Sequence, residues 1–328
     1  MHDAVTAIDA AKQTVTTKGG KTFAYERCIV SPGIDFKWDA IGGYDAAVAE
    51  TIPHAWKAGP QTVTLRKQLE AMKDGGTFLM AAPPNPFRCP PGPYERVCQV
   101  AHYFKQHKPK SKIVILDPKD KFSKFGLFTD GWKKYYGYGT DNSMIEWING
   151  AQGGKIDSVD AKAKTVTAAV EDFKGDVINI IPPQKAGAIA FTAGLVDESG
   201  WCPVDHKTFE SAKHKKIHVI GDASIASPMP KSGYAANSQA KVCAASVVAL
   251  LNGIDTPDPS YVNTCYSIIA PNDGISVAAV YHLGQDGKIA AVKGAGGLTP
   301  ADASAEMRKR EAAYAHSWFK NITHDVFG

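Results

Sequence analysis

A strand–helix–strand pattern between residues 77 and 117 restricts the fold of this chain more than any other feature. Residues 77–81 form a short apolar run typical of a buried strand, and residues 112–117 form a second one. Between them, residues 94–107 carry apolar side chains on one helical face, after a proline suited to the first turn of a helix. Two strands joined by a crossover helix pair in parallel, with a right-handed connection. The pattern therefore predicts an α/β domain of the dinucleotide-binding type.

The remaining sequence predicts short strands, further helices and one linker. A chain of 328 residues has room for about two domains. Prolines at 257 and 259 predict a linker that begins near residue 256. Strands are predicted at 5–8, 14–16, 22–24, 27–30, 176–181, 217–220, 276–281 and 289–292, and helices at 62–72, 234–251 and 304–319.

Charge and composition argue against several classes of function. The formal net charge is only +4, and neither a Lys/Arg-rich run nor a nucleic-acid motif is present, so we expect no nucleic-acid binding. No apolar run reaches the ~18 residues that a membrane helix needs. The six cysteines lack CxxC and zinc-site spacing, so they predict neither a disulfide scaffold nor a metal site. The first fifteen residues lack the basic and apolar regions of a signal peptide.

The strongest local motif is an apolar strand that ends in Gly221 and Asp222. A glycine lets the backbone approach a cofactor, and an aspartate at this point accepts hydrogen bonds from sugar-alcohol hydroxyls of FAD. The helix that follows directs its positive end toward a flavin ring. Lys231, Ser232 and Gly233 precede that helix and either approach the flavin or form a helix-start loop. The alternative for the whole motif is an ordinary strand with a Gly-Asp turn.

A second signal favours the flavin interpretation. The run Ile-Val-Ser-Pro-Gly that ends at Gly33 partly matches the strand and turn by which two-domain flavoproteins cross between their domains. The strand at 77–81, in contrast, does not continue into Gly-x-Gly-x-x-Gly. It continues into proline-rich residues 82–93, which cannot offer the row of backbone N–H groups that holds a pyrophosphate. Asp117 is then a strand-end residue, and we expect no NAD(P)H binding.

The proline-rich loop carries Cys89 just before a helix. A helix N-terminus lowers the pKa of a thiol, and an exposed loop makes it accessible, so this residue is a candidate nucleophile. Glu95, in the first turn of that helix, is a candidate proton acceptor. The alternative is that Cys89 is a small buried apolar side chain, which is the usual role of a free cysteine.

Seven segments between residues 87 and 328 closely resemble the flavoprotein subunit of flavocytochrome c sulfide dehydrogenase, and the resemblance extends in order over essentially the whole chain. That family is built like glutathione reductase and is related to sulfide:quinone oxidoreductase. The segments are FRCPPGPYER, KPKSKIVILD, GWCPVD, IHVIGDA, PMPKSGYAANSQ, YVNTCYSI and WFKNITHDVFG.

The resemblance implies a sulfide-oxidising enzyme with a redox-active disulfide between Cys89 and Cys265, beside FAD. Sulfide attacks the disulfide to give a persulfide, and electrons pass through FAD to haem c on a separate c-type cytochrome subunit in the periplasm. Asp222 matches an aspartate that contacts FAD, Trp318 a tryptophan near the flavin, and Glu95 a carboxylate near the disulfide.

The resemblance also implies an α/β organisation with two Rossmann-like dinucleotide-binding domains, the first incomplete, and an α+β C-terminal domain. We expect the FAD domain at 1–42 and 184–254, the second dinucleotide-fold domain at 43–183, and the active-site and interface domain at 255–328. The family begins with a signal peptide, a glycine-rich ADP-binding unit and a cysteine that attaches the flavin, which this sequence lacks. We therefore expect this chain alone to bind FAD weakly or not at all.

Two other functions are considered beside the cytochrome-linked enzyme. A sulfide:quinone oxidoreductase needs a membrane-facing amphipathic surface, whereas residues 301–328 mix both charges without a long basic stripe. A non-catalytic remnant that binds a cytochrome is favoured by the absent ADP-binding unit and disfavoured by the presence of both Cys89 and Cys265.

Overall fold

The computed structural model describes residues 2–328 and has a mixed α/β fold, as predicted. The strands are β1 Val5–Asp9, β2 Thr14–Thr17, β3 Thr22–Ala24, β4 Cys28–Val30, β5 Ile34–Phe36, β6 Thr77–Ala81, β7 Lys112–Leu116, β8 Ile145–Ile148, β9 Ile156–Asp160, β10 Thr165–Ala168, β11 Asp172–Lys174, β12 Val177–Ile180, β13 Gln184–Ala186, β14 Cys202–Pro203, β15 Ile217–Val219, β16 Ser224–Ile225, β17 Ser260–Ala270, β18 Asp273–Leu283 and β19 Ile289–Leu298. The helices are α1 Pro60–Ala71, α2 Gly92–His107, α3 Phe125–Tyr136, α4 Ala188–Thr192, α5 Gly233–Leu251 and α6 Ala305–Phe327.

A four-stranded parallel sheet in the order β12-β6-β7-β8 forms the middle of the molecule. Helix α2 connects β6 to β7, which confirms the predicted strand–helix–strand unit, and α3 connects β7 to β8. Side chains alternate along each strand, so Phe78 and Met80 belong to one core cluster while Leu79 and Ala81 belong to another. Because both faces of the sheet are buried, its strands are almost continuously apolar.

One arrangement of strands occurs twice along the chain. The antiparallel meander β9-β10-β11 is followed directly by β12, an edge strand of the parallel sheet. The antiparallel meander β1-β2-β3 is likewise followed by β4, which pairs in parallel with β15. The repetition indicates two units of similar build within one chain.

The chain crosses between these two units along a short antiparallel ribbon. Strand β5 runs into one unit and β13 returns from it, and the two strands pair with each other. Gly33, just before β5, has φ +64°, a left-handed conformation that favours glycine. Its carbonyl oxygen accepts a hydrogen bond of 3.0 Å from the backbone N–H of Gly187. The turn predicted at this residue is therefore the point where the crossing begins.

The C-terminal part consists of the antiparallel sheet β17-β18-β19 and the long helix α6. Helix α6 packs on β18, while β17 packs against α2, α3 and α5. No helix among residues 2–328 combines the length and the apolar character needed to cross a membrane.

Among the elements missed by the sequence analysis, β17 and α3 lie nearest the cysteines, and both omissions have physical explanations. Alternate residues of β17 are buried, but three of the buried side chains, Asn263, Cys265 and Ser267, are polar or weakly apolar, which hides the strand pattern. Helix α3 contains Gly131, which lowers its helix propensity. A Cβ atom at Gly131 would lie 2.5 Å from Ile269, so the glycine permits close packing of α3 on β17.

Candidate active site

Cys89 lies in the loop between β6 and α2, in a backbone conformation that is unusual for its residue type. Its φ of +59° is left-handed, a conformation that non-glycine residues adopt mostly where the surroundings enforce it, often at functional sites. Its backbone N–H donates a 2.7 Å hydrogen bond to the carbonyl oxygen of Lys231. A Cβ atom at Gly92 would lie 3.0 Å from the Cys89 sulfur and 2.6 Å from Trp56. The loop is thus tied to the segment before α5 and packed closely around the thiol.

Cys265 approaches the same region from the middle of β17. Its side chain is buried, and its sulfur lies 3.5 Å from Nδ2 and 3.7 Å from Oδ1 of Asn263. Both Cys89 and Cys265 are free thiols in the structure. A negative charge on Cys265 raises the pKa of Cys89, which places the two thiols within electrostatic range of each other.

Glu95, in the first turn of α2, joins the two cysteine-bearing elements. Its Oε1 accepts a 2.8 Å hydrogen bond from the backbone N–H of Ile268 on β17. Burial raises the pKa of its carboxyl group, while this hydrogen bond and Lys124 oppose the shift. The structure therefore brings together the three residues that the sequence analysis named as catalytic: Cys89, Glu95 and Cys265.

The predicted low pKa of the Cys89 thiol is wrong for this structure. Desolvation raises its pKa to about 12, and negative charge on Glu95 and Cys265 adds to the increase. The favourable potential near the N-terminus of α2 is outweighed because the thiol is enclosed by side chains. A protonated Cys89 is therefore expected near neutral pH in the reduced chain.

Lys124 is the functional candidate that sequence analysis missed. It precedes α3 with a left-handed φ of +63°, and its side chain is almost completely buried. Its Nζ donates hydrogen bonds of 2.8 Å to the carbonyl oxygen of Cys265 and to Oγ of Ser267. Burial lowers the pKa of Lys124 to about 8, and charge on Cys265, Glu95 and Cys89 opposes the shift.

A cavity of about 600 Å³ adjoins the Cys89 loop, and it contains the Gly-Asp motif. Its wall includes Phe87 and Pro90 from the loop, and Trp201, Asp222, Met229 and Gln239 from the other unit. Gly221 has φ +74°, and its backbone N–H donates a 2.7 Å hydrogen bond to Oε1 of Gln239. Trp201, Met229 and Gln239 carry no motif that would have identified them from the sequence.

Asp222 is unsatisfied in this cavity. Its Oδ1 is buried and has no hydrogen-bond partner among residues 2–328. Burial raises the pKa of its carboxyl group, while Arg88 and Lys231 oppose the shift. A buried carboxylate oxygen without a donor is costly, and a ligand that offers a hydroxyl would satisfy it. FAD has such hydroxyls on its ribityl chain, so the residues of this cavity fit the cofactor.

Lys231 and Ser232, two other predicted cofactor residues, lie beside the Gly-Asp motif in the cavity wall. Nζ of Lys231 donates hydrogen bonds of 2.7 Å to the carbonyl oxygen of Asp222 and 2.9 Å to that of Ser224, and lies 3.8 Å from the centre of the Trp201 ring. Lys231 thereby fixes the loop that carries Asp222. Ser232 caps α5 by accepting a 3.1 Å hydrogen bond from the backbone N–H of Ala235, and it also contributes to the cavity wall.

Gly33, Gly233 and Trp318 are not part of the 600 Å³ cavity wall. Trp318 on α6 stacks on Tyr234, with ring centres 6.0 Å apart and planes 10° apart. A Cβ atom at Gly233 would lie 3.7 Å from Trp318, so the start of α5 and the C-terminal helix meet at these residues. Trp318 contributes instead to a hollow of about 490 Å³ between α5 and α6.

Comparison with protein families supports this arrangement. A family model described as "Sulfide dehydrogenase [flavocytochrome c] flavoprotein chain, central" matches residues 62–182, which include Cys89, Glu95 and Lys124. A second, "Flavocytochrome c sulphide dehydrogenase, flavin-binding", matches residues 257–327, which include Cys265 and Trp318. The chain belongs to the flavocytochrome c sulfide dehydrogenase flavoprotein family. The resemblance drawn from the sequence is thereby confirmed.

A curated protein from a related group is similar in sequence to this chain. The mitochondrial sulfide:quinone oxidoreductase of Dictyostelium discoideum is 23% identical over 258 residues, which cover 76% of this chain and 55% of that protein. The match therefore spans about half the length of this curated relative.

Two solved structures extend the comparison of the fold. The sulfide:quinone oxidoreductase from Aquifex aeolicus has a TM-score of 0.68 at 14% identity, over 99% of this chain and 75% of that chain. The ferredoxin reductase for the CYP199A2 system from Rhodopseudomonas palustris has a TM-score of 0.57 at 14% identity, over 86% and 65%. These likenesses confirm the predicted dinucleotide-binding α/β architecture.

Proposed function

We propose that this chain is the flavoprotein component of a sulfide dehydrogenase that binds FAD and oxidises sulfide through Cys89 and Cys265. The observation that carries the proposal is that the Cys89 loop contributes Phe87 and Pro90 to the cavity that contains Asp222, while Glu95, in the first turn of the helix after that loop, is hydrogen-bonded to the strand that carries Cys265. The hydrogen bond from Cys89 to Lys231 connects the two parts, since Lys231 also fixes the backbone of Asp222. Family membership supports the choice of sulfide as substrate.

The reaction begins from the oxidised cysteine pair. Hydrosulfide attacks one sulfur of the disulfide, a new S–S bond forms to that cysteine, and the old S–S bond breaks. The electron pair of the broken bond remains on the other cysteine as a thiolate, while the hydrosulfide proton stays on the persulfide. In this proposal Glu95, whose Oε1 is hydrogen-bonded to the backbone of β17 three residues after Cys265, accepts that proton when a deprotonated product forms. FAD, when bound, accepts the two electrons and passes them on singly.

We further propose that the electrons leave through haem c on a c-type cytochrome partner in the periplasm. The family description supports a cytochrome-linked dehydrogenase. A quinone acceptor is the second candidate, because the curated relative from Dictyostelium discoideum is a sulfide:quinone oxidoreductase. Rates of sulfide oxidation with a c-type cytochrome and with a soluble quinone analogue as sole acceptor decide between them. A faster rate with the quinone analogue would overturn the cytochrome assignment.

The test of the proposed function is anaerobic reduction of FAD by sulfide in the full chain supplied with an excess of FAD, because weak binding is expected for this chain alone. We expect sulfide to bleach the flavin absorbance, and we expect Cys89→Ser and Cys265→Ser each to abolish the bleaching while leaving FAD binding intact. Cys28→Ser is the matched control, because Cys28 lies on β4, outside the cysteine cluster. Undiminished bleaching in Cys89→Ser would contradict the mechanism, and FAD-loaded chain that sulfide does not bleach would favour a non-catalytic binding role.

A further inference from the structure

We propose that Lys124 is a positioning residue for the cysteine pair: it holds the Cys265 segment and compensates the negative charge that appears when the sulfur–sulfur bond opens. This inference rests on the proposed function. It assigns to Lys124 a role that the sequence motifs do not indicate.

The contacts of Lys124 fix it at the meeting point of several elements. Its Nζ uses two of its three N–H donors on β17, at the carbonyl oxygen of Cys265 and at Oγ of Ser267. It also lies 5.7 Å from the centre of the Phe128 ring on α3. With 4% of its surface exposed, the ammonium group has little water around it, so nearby protein charges act on it strongly.

Ionisable groups from two helices, one strand and one loop act on the charge of Lys124. Glu95 reaches it from α2, Cys89 from the loop before α2, Cys265 from β17 and Glu311 from α6. All four carry negative charge when deprotonated, and Lys124 is positively charged. The site is therefore arranged around a single ammonium group that is shared by both cysteines.

Two arginines also act on Cys89, but their donors are engaged elsewhere. Arg88 donates to the carbonyl oxygen of Trp56. Arg96 donates to Ala55, His54 and Asn179, and charge on Cys89 raises its pKa while burial lowers it to about 10. Neither arginine hydrogen-bonds to the Cys265 segment among the described residues.

Position relative to the 600 Å³ cavity indicates which sulfur is attacked. Phe87 and Pro90, on either side of Cys89, line this cavity, whereas no residue of β17 is among its lining residues, so we infer that hydrosulfide attacks Cys89. The new S–S bond forms at Cys89, and the electron pair of the broken bond remains on Cys265 as a thiolate. The charge carried in by hydrosulfide thus moves to the residue whose backbone Lys124 already holds. An enclosed thiolate requires a nearby cation, because burial alone disfavours the charged form.

The experiment measures alkylation of Cys89 in the reduced full chain by iodoacetamide against pH, with peptide mass spectrometry to isolate this cysteine. Lys124→Met is expected to slow alkylation about tenfold at pH 7, where Lys124 is protonated because its pKa is about 8, since the loss of a nearby positive charge raises a thiol pKa by about one unit or more. Lys124→Arg keeps the charge and is expected to remain within about threefold of the wild type. Lys108→Met is the matched control: Lys108 is also buried and bonded to carbonyl oxygens, but it follows the C-terminal end of α2, whereas Cys89 precedes the N-terminal end.

Two results overturn the inference: unchanged alkylation in Lys124→Met, or equal slowing in Lys124→Met and Lys124→Arg, which would indicate packing and not charge. If Lys124→Met does not fold, the comparison moves to Glu95→Gln and the double variant Glu95→Gln/Lys124→Gln, which leaves no unbalanced charge. Alkylation must then be slower in the double variant than in Glu95→Gln. Because no flavin is needed, this result stands apart from the sulfide-bleaching test of the proposed function.

Discussion

Asp222→Asn is expected to stabilise the FAD-free chain and to weaken its binding of FAD. Asp222 Oδ1 is buried without a partner among residues 2–328, and burial raises the pKa of the carboxyl group above the ordinary value of 3.8. The asparagine side chain has nearly the same shape and carries no charge. The substitution therefore removes a desolvation cost without opening a cavity.

The magnitude follows from the extra cost of burying a carboxylate instead of a neutral amide, about 1–3 kcal/mol. For a chain of 328 residues this corresponds to a rise in Tm of roughly 1.5–4 °C. The gain depends on pH. The folded-state pKa of Asp222 is raised, so the contribution of this residue to wild-type stability is greatest below about pH 3.8, where the carboxyl group is protonated in both the folded and the unfolded chain. That contribution is lost as pH rises through the folded-state pKa, because the buried group then becomes charged. Wild type and Asp222→Asn should thus be equally stable near pH 3.5 and differ most near neutral pH.

The assay is chemical denaturation of the FAD-free chain at several pH values, followed by titration with FAD by flavin fluorescence. Glu210→Gln is the control of opposite sign, because Glu210 is paired with Arg27 and its pKa is lowered by hydrogen bonds and nearby lysines. The Glu210→Gln variant should be less stable than the wild type near neutral pH, because it loses the charge that pairs with Arg27. For FAD, the loss of hydrogen bonds to a charged acceptor is worth ~1.5–3 kcal/mol, so Kd should rise roughly ten- to hundredfold.

Lower stability of Asp222→Asn at neutral pH would refute the reasoning, since it would mean that the carboxylate has favourable partners. A stability gain without any loss of FAD affinity would support the burial cost of the carboxylate, but it would show that Asp222 does not bind FAD. The two measurements therefore separate a cofactor-binding carboxylate from an ordinary buried one.

Gly92→Ala should destabilise the chain by ~1–3 kcal/mol and alter the alkylation rate of Cys89, because the added methyl group would lie 3.0 Å from its sulfur. Gly126→Ala is the control, since a Cβ there meets nothing within 4 Å, and equal effects in denaturation and alkylation would contradict the packing argument. Trp318→Ala should cost ~0.5–1.5 kcal/mol beyond its lost burial and expose α6 to protease, because it removes the stacked pair with the tyrosine at the start of α5. Phe319→Ala, at a 63% exposed position of the same helix, should change neither the stability nor the protease sensitivity of the chain. Equal proteolysis of the two variants would contradict the role of Trp318 in attaching α6 to α5.

The parts of the fold that the sequence predicted are those where side-chain pattern and burial agree. Strands β6 and β7 are apolar because both faces of their sheet are buried, and α2 has one apolar face. Asp222 was identifiable because a glycine precedes it at the end of an apolar run, and in the structure this glycine has a positive φ. The predicted domain boundaries remain predictions.

The cysteine site was only partly predictable, because its chemistry depends on contacts between distant segments. Lys124 lies in a segment rich in lysine, which from sequence resembles a solvated loop. Its burial follows from the left-handed turn before α3 and from acceptors on β17, about 140 residues later in the chain. The pKa of Cys89 was mispredicted for the same reason: enclosure by other segments, which no local motif reveals, outweighs the helix terminus.

The attachment of β17 to α2 and α3 has a consequence for repeated turnover. Side chains of Glu95, Gln99, Lys124 and Tyr136 hold the backbone of residues 265–269 by hydrogen bonds that do not involve sulfur. Closing a loop from residue 89 to residue 265 in a flexible chain would cost about 5 kcal/mol of entropy. In the proposed reaction, a sulfur–sulfur bond opened in one cycle would re-form without this entropic cost, because the hydrogen bonds hold β17 against α2 and α3. The fixed position of β17 would thus favour closure of the bond in every cycle.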